Sequence, residues 1–558
     1  MPKKGKIARR LLYIFGSLIL LLLIGYAWLY SVAIANPPPE PGNASLQLTR
    51  KALSPTASTL NNNWFRKSNS GLYEMYVEGS PFQRGVINGK LSAELVVRQE
   101  DHFNEQINKM VSSGTYRQFL RYFIAWFNRN LDENISDEYK QEINGISKSA
   151  SDKYQYIGSN YQRLLNYHAA HDIGHALQNM MLVGCTSFGT WGAASQDSTM
   201  IIGRNFDFWA GDKFAEDKII SFEKPSEGYP FMSITWGGFI GVVSGMNTKG
   251  LTVTINAAKS ELPSGAATPV SLVAREILQY AANISEAITI ARSRKMFVSE
   301  SFLVSSAVDN KAVIIEKTPS DIDVYDPGQD HIICTNQFQS KGLIKSKDNI
   351  EQIRESASPY RYQRVKQLME ANGKNSVEKT VQLLRDTKGL NGTNIGLGNE
   401  KAVNQFIAHH SVVFEPQKLL VWVSTAPWQL GEYVAYDLNK IFAMQGLKAD
   451  EEIRENNLTI AADPLLKTEE FRHFQDFREF RKRIARGEAV NTDSLVASNP
   501  EYYHAYVLAG DYSFNHKDYG RALQYYKAAS IREIATAKES EHIRRRIQES
   551  GEKISERQ

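Results

Sequence analysis

An uncharged, apolar run near the N-terminus constrains this chain more than any other feature of its sequence. The run extends from Leu11 to Ala35 and follows a basic flank made of Lys3, Lys4, Lys6, Arg9 and Arg10. About twenty apolar residues span the hydrocarbon core of a bilayer as a helix, so this run is long enough to cross a membrane. Because basic flanks stay in the cytoplasm, the rest of the chain is expected on the far side, periplasmic or on the outer face.

The same run also permits a second interpretation. Ala33-Ile34-Ala35 has the small residues of a signal-peptide cleavage site, and cleavage there would release a secreted protein. The Leu-rich core is longer than the apolar segment of a usual signal peptide, which favours an uncleaved anchor. We therefore assign residues 1–35 to a basic flank with a transmembrane anchor or signal segment, and residues 36–69 to a Pro-rich spacer and its lead-in.

Composition predicts a well-buried globular protein. Of the 558 residues, 42% are hydrophobic and 11% are aromatic, which suits a large core. The formal net charge is +4, from 65 basic and 61 acidic residues, and no basic run outside the N-terminus suggests nucleic acid. We therefore predict no nucleic-acid partner.

Hydrophobic periodicity divides the remainder into three regions. Residues 45–180 carry mainly helical spacings, apart from a strand-like alternation over 72–79, and we assign 70–184 to a helical pro-region. Residues 185–440 contain short strands, two helices and further strands, which predicts an α+β core with helices covering antiparallel sheets. Residues 445–558 are charged and helical.

Part of the C-terminal region resembles a tetratricopeptide hairpin. The segments 505–512 and 519–529 have the spacing of one such helical pair. A single repeat cannot bury its own apolar face. Two interpretations therefore stay open: a helical cap packed on the main domain, which we favour, or a module that docks a protein partner.

Two short stretches carry the chemistry. Cys185 is one of only two cysteines and follows Gly184, with small or hydroxyl residues after it that leave room for a carbonyl. If the Gly184–Cys185 bond is cleaved, the new α-amine lies next to the thiol, and an amine with a pKa near 8 can accept the thiol proton. About twenty residues later, a strand end is predicted to present Arg204 and Asp207 on one face of a loop.

These stretches resemble the cysteine N-terminal nucleophile (Ntn) hydrolases of the penicillin (isopenicillin N) acyltransferase type, peptidase C45. Relatives of that group include choloylglycine hydrolases, acid ceramidase and N-acylethanolamine acid amidase. The matching segments are 185–187, 203–207 and 335–338, with a weaker match over 358–364. The resemblance covers roughly residues 70–430. It implies a four-layer αββα sandwich and no cofactor or metal.

The resemblance also implies a role for each site residue. Cys185 would attack the substrate carbonyl, Asp207 would bind the freed α-amine, and Arg204 would line the thiol and the incoming acyl group. The tetrahedral oxyanion would receive donors from the Asn336 side chain and the Asn256 backbone N–H, each worth about 3 kcal/mol. Arg361 would add a closing contact. Gln337 stands where relatives often carry His or Tyr, so the resemblance does not define the residues that line the substrate.

Three other interpretations of the sequence stay open. His168, His171 and His175 fall along one helix face and could belong to a zinc hydrolase, although one straight helix rarely closes three ligands around an ion. Cys185 and Cys334 could form a disulfide, but a buried inert thiol at Cys334 is the simpler interpretation. A non-catalytic binding module that docks a partner through its tail is the third alternative.

The sequence therefore predicts a membrane-anchored or exported cysteine amidohydrolase or acyltransferase. It would mature by cleavage at Gly184–Cys185 and act on the C–N amide bond of an N-acylated small molecule or lipid. Activity that survives loss of the thiol would contradict this prediction.

Overall fold

A computed structural model describes residues 3–42, 44–110, 113, 122, 124–169, 172, 184–208, 211–259, 267–449 and 451–556. At the N-terminus, α1 (Lys3–Ala33) is one continuous helix. Its stretch Arg9–Ala33 is long and apolar enough to cross a membrane. The predicted apolar helix is confirmed, and it is compatible with either a signal anchor or a signal sequence.

The strands form two separate sheets. An eleven-stranded sheet has the order β1-β2-β3-β4-β7-β8-β9-β10-β11-β12-β13, and a six-stranded sheet has the order β14-β5-β6-β15-β16-β17. The pair β4–β7 is parallel, and the other pairs are antiparallel. The strands are β1 (Lys51–Ser54), β2 (Ala57–Leu60), β3 (Asn63–Lys67), β4 (Tyr73–Gly79), β5 (Thr186–Thr190), β6 (Ile201–Asp207), β7 (Ile219–Pro225), β8 (Phe231–Thr235), β9 (Ser244–Asn247), β10 (Leu251–Ala257), β11 (Glu300–Ser306), β12 (Lys311–Lys317), β13 (Ile322–Tyr325), β14 (His331–Cys334), β15 (Ala408–Glu415), β16 (Leu420–Ser424) and β17 (Tyr433–Asp437).

Helices both precede and follow the strands along the described chain, so the fold is α+β, as predicted. After α1 they are α2 (Pro81–Leu91), α3 (Ala93–Met110), α4 (Asp137–Ser147), α5 (Asn160–His168), α6 (Asp212–Glu216), α7 (Val270–Tyr280), α8 (Ile284–Ser293), α9 (Lys347–Glu355), α10 (Ser358–Asn372), α11 (Val377–Leu384), α12 (Leu438–Ala443), α13 (Glu469–Ala485), α14 (Thr492–Ala497), α15 (Tyr503–Asn515), α16 (Tyr519–Ser530) and α17 (Ala537–Ser555).

One apolar cluster joins the two sheets. Phe222 and Met232 of the large sheet share it with Ile202, Phe414 and Val421 of the small sheet. Full burial of one side chain of this size stabilises the fold by about 1.5–3 kcal/mol relative to leaving it exposed. The shared cluster fixes the distance between β6 and the large sheet, and the candidate site lies at that junction.

Helices cover other sides of the sheets through separate clusters. Leu272 and Ile277 of α7 are buried in one cluster with Ile255 of β10. Val381 and Leu384 of α11 are buried in another cluster with Val413 and Trp422 of the small sheet. These contacts follow from the alternation along each strand, which sends successive side chains to opposite faces.

The prediction of a mainly helical segment over residues 45–180 is wrong at its start. Three short strands, β1 to β3, precede the predicted strand at 72–79 and extend the large sheet beyond it. β1 is mostly exposed, and β1, β2 and β3 are only four or five residues long. The alternation of apolar and polar residues that predicts a strand is therefore too short to recognise here. These three strands form the edge of the sheet.

The C-terminal helices pack onto the loop that precedes β15. Leu397 and Phe406 of that loop are buried with Phe474 of α13 and Tyr503 of α15. The Phe406 and Phe474 rings lie 4.7 Å apart between centroids. This packing is the geometry expected of a helical cap.

Candidate active site

Cys185 lies directly before β5, at a three-strand junction. β5 pairs with β6 on one side and with β14 on the other, so Ser187 stands opposite both Arg204 and Cys334. The thiol is fully buried in the cluster that also holds Phe206 of β6. Burial raises the pKa of the Cys185 thiol to about 11, although Arg204 lowers it. In the uncut chain the thiol is therefore protonated at neutral pH and a poor nucleophile.

Arg204 links the two sheets beneath the thiol. Its Nη2 donates to Cys185 Sγ at 3.7 Å and also to the Ile255 carbonyl of β10. Its Nη1 donates to the Val243 carbonyl and to Ser244 Oγ. The guanidinium is fully buried, and its carbon lies 4.5 Å from the centre of the Phe206 ring. One side chain therefore carries a positive charge to the sulfur and crosslinks β6 to β9 and β10.

Asp207 ends the same strand. The prediction that Arg204 and Asp207 share one face of a loop is wrong, because both lie in β6 three positions apart, where side chains alternate. Burial raises the pKa of the Asp207 carboxyl to about 8, although Arg361 and Arg204 lower it. Its Oδ1 is buried and has no hydrogen-bond partner among the described residues.

This carboxyl predicts a pH dependence of stability. In the unfolded chain it ionises near 3.8, whereas in the fold it ionises near 8, so unfolding releases a proton between these values. The free energy of unfolding therefore falls as pH rises through this window. In an uncut Cys185→Ala background, we expect Asp207→Asn to raise the thermal midpoint increasingly from pH 4 to 8, with no difference below pH 4.

Asp197 provides a control of opposite sign. Hydrogen bonds from Lys418 and Thr199 lower the pKa of Asp197 to about 2, so its contribution is present above pH 3.8 and is lost on acidification. The Asp197→Asn variant should lose a little stability above pH 4, since the side chain is half exposed. A difference in thermal midpoint between Asp207→Asn and its parent that stays constant from pH 4 to 8 would contradict the prediction.

Asn336 and Arg361 form a second pair beside the thiol. Asn336 follows β14, its Nδ2 donates to the Ala257 carbonyl at 2.9 Å, and its Oδ1 accepts from Arg361 Nη2 at 2.6 Å. Arg361 lies on α10, is buried, and also donates to the Glu400 carbonyl at 3.0 Å. Its charge lowers the pKa values of both Cys185 and Asp207, against burial. Because Arg361 holds Oδ1 of the Asn336 amide, the Nδ2 donor of that amide points away from Arg361.

Asn256 has a structural side chain. Its Nδ2 donates to the carbonyls of Cys334 and Thr335 at 3.0 and 3.3 Å, and its Oδ1 accepts from Ser187 Oγ at 2.8 Å. These bonds connect β10 of the large sheet to β14 and β5 of the small sheet. The side-chain amide is committed, and the backbone N–H faces β11, because the preceding Ile255 N–H points the other way, to the Val243 carbonyl.

A polar chain behind Arg204 was missed by sequence reasoning. Ser244 Oγ bonds His410 Nε2 at 2.8 Å, and His410 Nδ1 bonds His409 Nδ1 at 2.8 Å. Burial lowers the pKa of both histidines, which keeps them neutral. Arg204 can only donate to Ser244, so the serine proton goes to His410, whose Nδ1–H goes to His409. This chain fixes the position of the guanidinium.

Gln405 was also missed. Its Nε2 donates to the Gly184 carbonyl at 2.6 Å and lies 3.4 Å from Asp207 Oδ2. Gly184 N–H in turn donates to the Asp207 carbonyl at 2.9 Å. Gln405 is about two hundred residues from both partners in sequence. No local spacing could have indicated it.

The geometry argues against His168 as a metal ligand and against a disulfide. His168 is fully buried, with Nδ1 bonded to the Leu164 carbonyl at 2.7 Å and Nε2 accepting from Ile240 N–H at 2.9 Å, so neither nitrogen is available to a metal. His171 and His175 lie outside the described residues. Across the described chain, no group of three or more potential ligands is placed to hold an ion. Cys185 and Cys334 are free thiols rather than a disulfide.

Residues 194–426 match the family described as acyl-coenzyme A:6-aminopenicillanic acid acyl-transferase. The predicted family resemblance is confirmed. The segment similar to this acyl-transferase family contains Arg204, Asp207, Asn256, Asn336 and Arg361, and it begins downstream of Cys185. The match supports an amidohydrolase or acyltransferase of the Ntn type.

Individual proteins similar to this chain are distant. An uncharacterized protein of Archaeoglobus fulgidus is 24% identical over 251 residues, which cover 42% of this chain and 41% of that protein. The chain therefore matches less than half the length of this curated relative.

Solved structures give weak similarities. The Caenorhabditis elegans ortholog of N-acylethanolamine-hydrolyzing acid amidase is 20% identical with a TM-score of 0.30, over 42% of this chain and 93% of that one. A mutant conjugated bile acid hydrolase from Clostridium perfringens is 11% identical with a TM-score of 0.30, over 49% and 95%.

Proposed function

We propose that this chain is a self-processing cysteine amidohydrolase or acyltransferase that cleaves the C–N bond of an N-acylated small molecule or lipid. One observation carries the proposal: a buried thiol directly after a glycine is surrounded by Arg204, Asp207 and the Asn336–Arg361 pair. Hydrogen bonds and mutual charge interactions connect these groups. A cation, a carboxyl and an amide around a thiol are the groups that bind and attack an amide.

The uncut chain resembles a dormant precursor in its electrostatics. The thiol has a raised pKa, and Asp207 has a raised pKa and an Oδ1 without a partner among the described residues. Cleavage of Gly184–Cys185 creates an α-amine that ionises near pH 8. That cation would pair with Asp207, lower the pKa values of both the carboxyl and the thiol, and so activate the site.

Turnover then follows from the positions of these groups. Cys185 Sγ, whose proton the α-amine already holds, attacks the substrate carbonyl carbon as a thiolate. The developing oxyanion receives the Asn336 amide N–H. The α-amine returns the proton to the leaving nitrogen, the C–N bond breaks, and a thioester forms on Cys185. Water releases the acid, or a second amine takes the acyl group.

A small cavity near β6, of about 50 Å³ and mostly apolar, supports at most a short apolar group on the substrate. It is lined by side chains of α3 and α5 and by Phe208, Trp236 and Phe239. Phe208 follows Asp207 directly and stacks on Phe206 at 5.6 Å, beside the Arg204 guanidinium. Aromatic walls bind alkyl and aryl groups without requiring a specific polar contact.

We further propose the four-layer αββα arrangement and a cap role for the C-terminal helices. Clusters that join helices to sheet, sheet to sheet, and sheet to helices support the layering. Contacts of α13 and α15 with the loop before β15 support the cap over a partner-docking tetratricopeptide module. Docking of a protein partner through this region remains the second hypothesis for the tail.

We propose that α1 anchors the enzyme with its catalytic region outside the cytoplasm. Aromatic side chains near the end of α1 contact exposed aromatics of the main body: Trp28 lies 5.8 Å from Trp126, and Tyr26 lies 6.3 Å from Tyr122. Trp and Tyr favour the interface between lipid and water. Such a placement favours acyl lipids as substrates.

Protein sequencing tests the proposal directly. We expect the purified full chain to contain two associated fragments, one ending at Gly184 and one beginning at Cys185. The Cys185→Ala variant should remain a single chain, whereas Cys334→Ala, which also removes a buried thiol, should be cut like the wild type. The start of the first fragment, at residue 1 or near residue 36, distinguishes an anchor from a cleaved signal peptide. A single uncut wild-type chain would contradict self-processing.

A further inference from the structure

We propose that Gln405 is the oxyanion donor of the self-cleavage reaction at Gly184–Cys185. Its Nε2 donates to the Gly184 carbonyl oxygen at 2.6 Å, and this carbonyl belongs to the bond that self-processing would break. Both Gln405 and Gly184 are buried. The inference rests on the proposed self-processing and assigns a residue to a step that Asn336 and Asn256 do not contact in this structure.

The reaction that Gln405 would assist is an N-to-S acyl shift followed by hydrolysis. Cys185 Sγ attacks the Gly184 carbonyl carbon, and the carbonyl oxygen becomes an oxyanion that accepts the Gln405 N–H. The C–N bond then breaks, the thiol proton ends on the new Cys185 α-amine, and Gly184 is held as a thioester. Water hydrolyses this thioester to the Gly184 carboxylic acid and the free thiol.

The glycine at position 184 fits this role. A Cβ added there would lie 2.5 Å from Gln405 Oε1 and 2.8 Å from its Nε2, closer than real contacts allow. Any side chain at this position would therefore displace the amide from the carbonyl. The same Nε2 lies 3.4 Å from Asp207 Oδ2, so the donor joins the scissile carbonyl to the carboxyl that would bind the product amine.

The loop that carries Gln405 is held from its other side by the C-terminal region. Asn399 Nδ2 donates to the Glu533 carbonyl at 2.9 Å, and Lys401 pairs with Glu533 at 2.5 Å. Asn499 Nδ2 donates to the Leu397 carbonyl at 2.8 Å. These bonds fix residues 397–406 between the helices and the site, which positions the Gln405 amide before the reaction begins.

Pulse-chase labelling of the full-length chain tests the role of Gln405. Gln405→Met keeps the side-chain volume and removes both donors, so we expect conversion to the Cys185 fragment to slow by about 10²–10³-fold. Gln429→Met is the matched control, because Gln429 is a fully buried glutamine whose side-chain amide has no hydrogen-bond partner among the described residues. It should convert at the wild-type rate. Gly184→Ala should slow conversion like Gln405→Met.

Gln405→Glu separates a chemical role from a structural one. A protonated glutamic acid can donate a hydrogen bond, whereas its carboxylate cannot, so conversion relative to wild type should recover as pH is lowered. A folding defect would not follow this profile. Wild-type conversion in Gln405→Met would overturn the role of Gln405 alone, and an uncut wild-type chain would overturn self-processing as well. Thermal midpoints measured in the Cys185→Ala background confirm that each variant is folded.

Discussion

The Arg204→Met variant is expected to lose both stability and self-processing. Removing the guanidinium leaves the Val243 and Ile255 carbonyls without their donor, at a cost of about 1–3 kcal/mol each. Methionine avoids the desolvation of a buried cation, which returns part of this energy. The net loss is about 2–4 kcal/mol, enough to lower the thermal midpoint by about 2–4 °C.

The effect on chemistry is separate from the effect on stability. Arg204 lowers the pKa of the Cys185 thiol against burial, and without it the thiolate becomes rarer. Arg66→Met is a suitable control, since Arg66 is also buried and its Nε donates to Glu74 at 2.6 Å within the large sheet. It should lose comparable stability while its folded molecules are still cut. Self-cleavage of Arg204→Met at the wild-type rate would contradict a role for this cation at the thiol.

Short-range patterns in the sequence located part of the candidate site. Cys185 was predicted as the nucleophile because a glycine and small residues surround a rare cysteine. Arg204 and Asp207 were predicted as site residues because they stand three residues apart in one short motif. Asn336 and Arg361 came from a family resemblance and stand side by side in the structure. Each of these signals lies within a few neighbouring residues, which is the range over which sequence spacing determines geometry.

The remaining site residues depend on long-range pairing. Gln405 reaches Gly184 only because β15 follows its loop and pairs with β6. Ser244 and His410 meet behind Arg204 because the two sheets face each other across one cluster. Asn256 is predicted to serve the oxyanion through its backbone N–H, but in the structure this N–H faces β11 and the side chain joins β10 to β14. Such contacts are set by sheet order and register, which periodicity along one chain does not encode.

The edge strands of the large sheet were likewise not predicted from the sequence. The strands β1 to β3 are short and partly exposed, so they gave no clear alternation, whereas longer buried strands such as β10 and β12 lie within residues 185–440, where strands were predicted. The α+β class followed from the long elements. The order of the strands in each sheet did not, because several neighbours, such as β4 and β7, are far apart in sequence.

The Cys185→Ala variant is expected to show the largest loss of turnover, more than about 10⁴-fold for any N-acyl amide that the wild type cleaves, since removing a nucleophile eliminates covalent catalysis. Cys334→Ala should keep wild-type turnover, because the Cys334 thiol is fully buried and burial raises its pKa well above the usual range. Initial rates over several acyl chain lengths measure both variants.

Alkylation links this loss to the mature thiol. In the uncut chain Cys185 has a pKa of about 11 and is fully buried, so iodoacetamide should leave it unmodified near pH 7. After cleavage the adjacent α-amine can take the thiol proton, and one equivalent of reagent should inactivate the enzyme by labelling Cys185 alone. Amide turnover that survives in Cys185→Ala, or in fully alkylated enzyme, would contradict the cysteine mechanism and point to a nucleophile elsewhere in the chain.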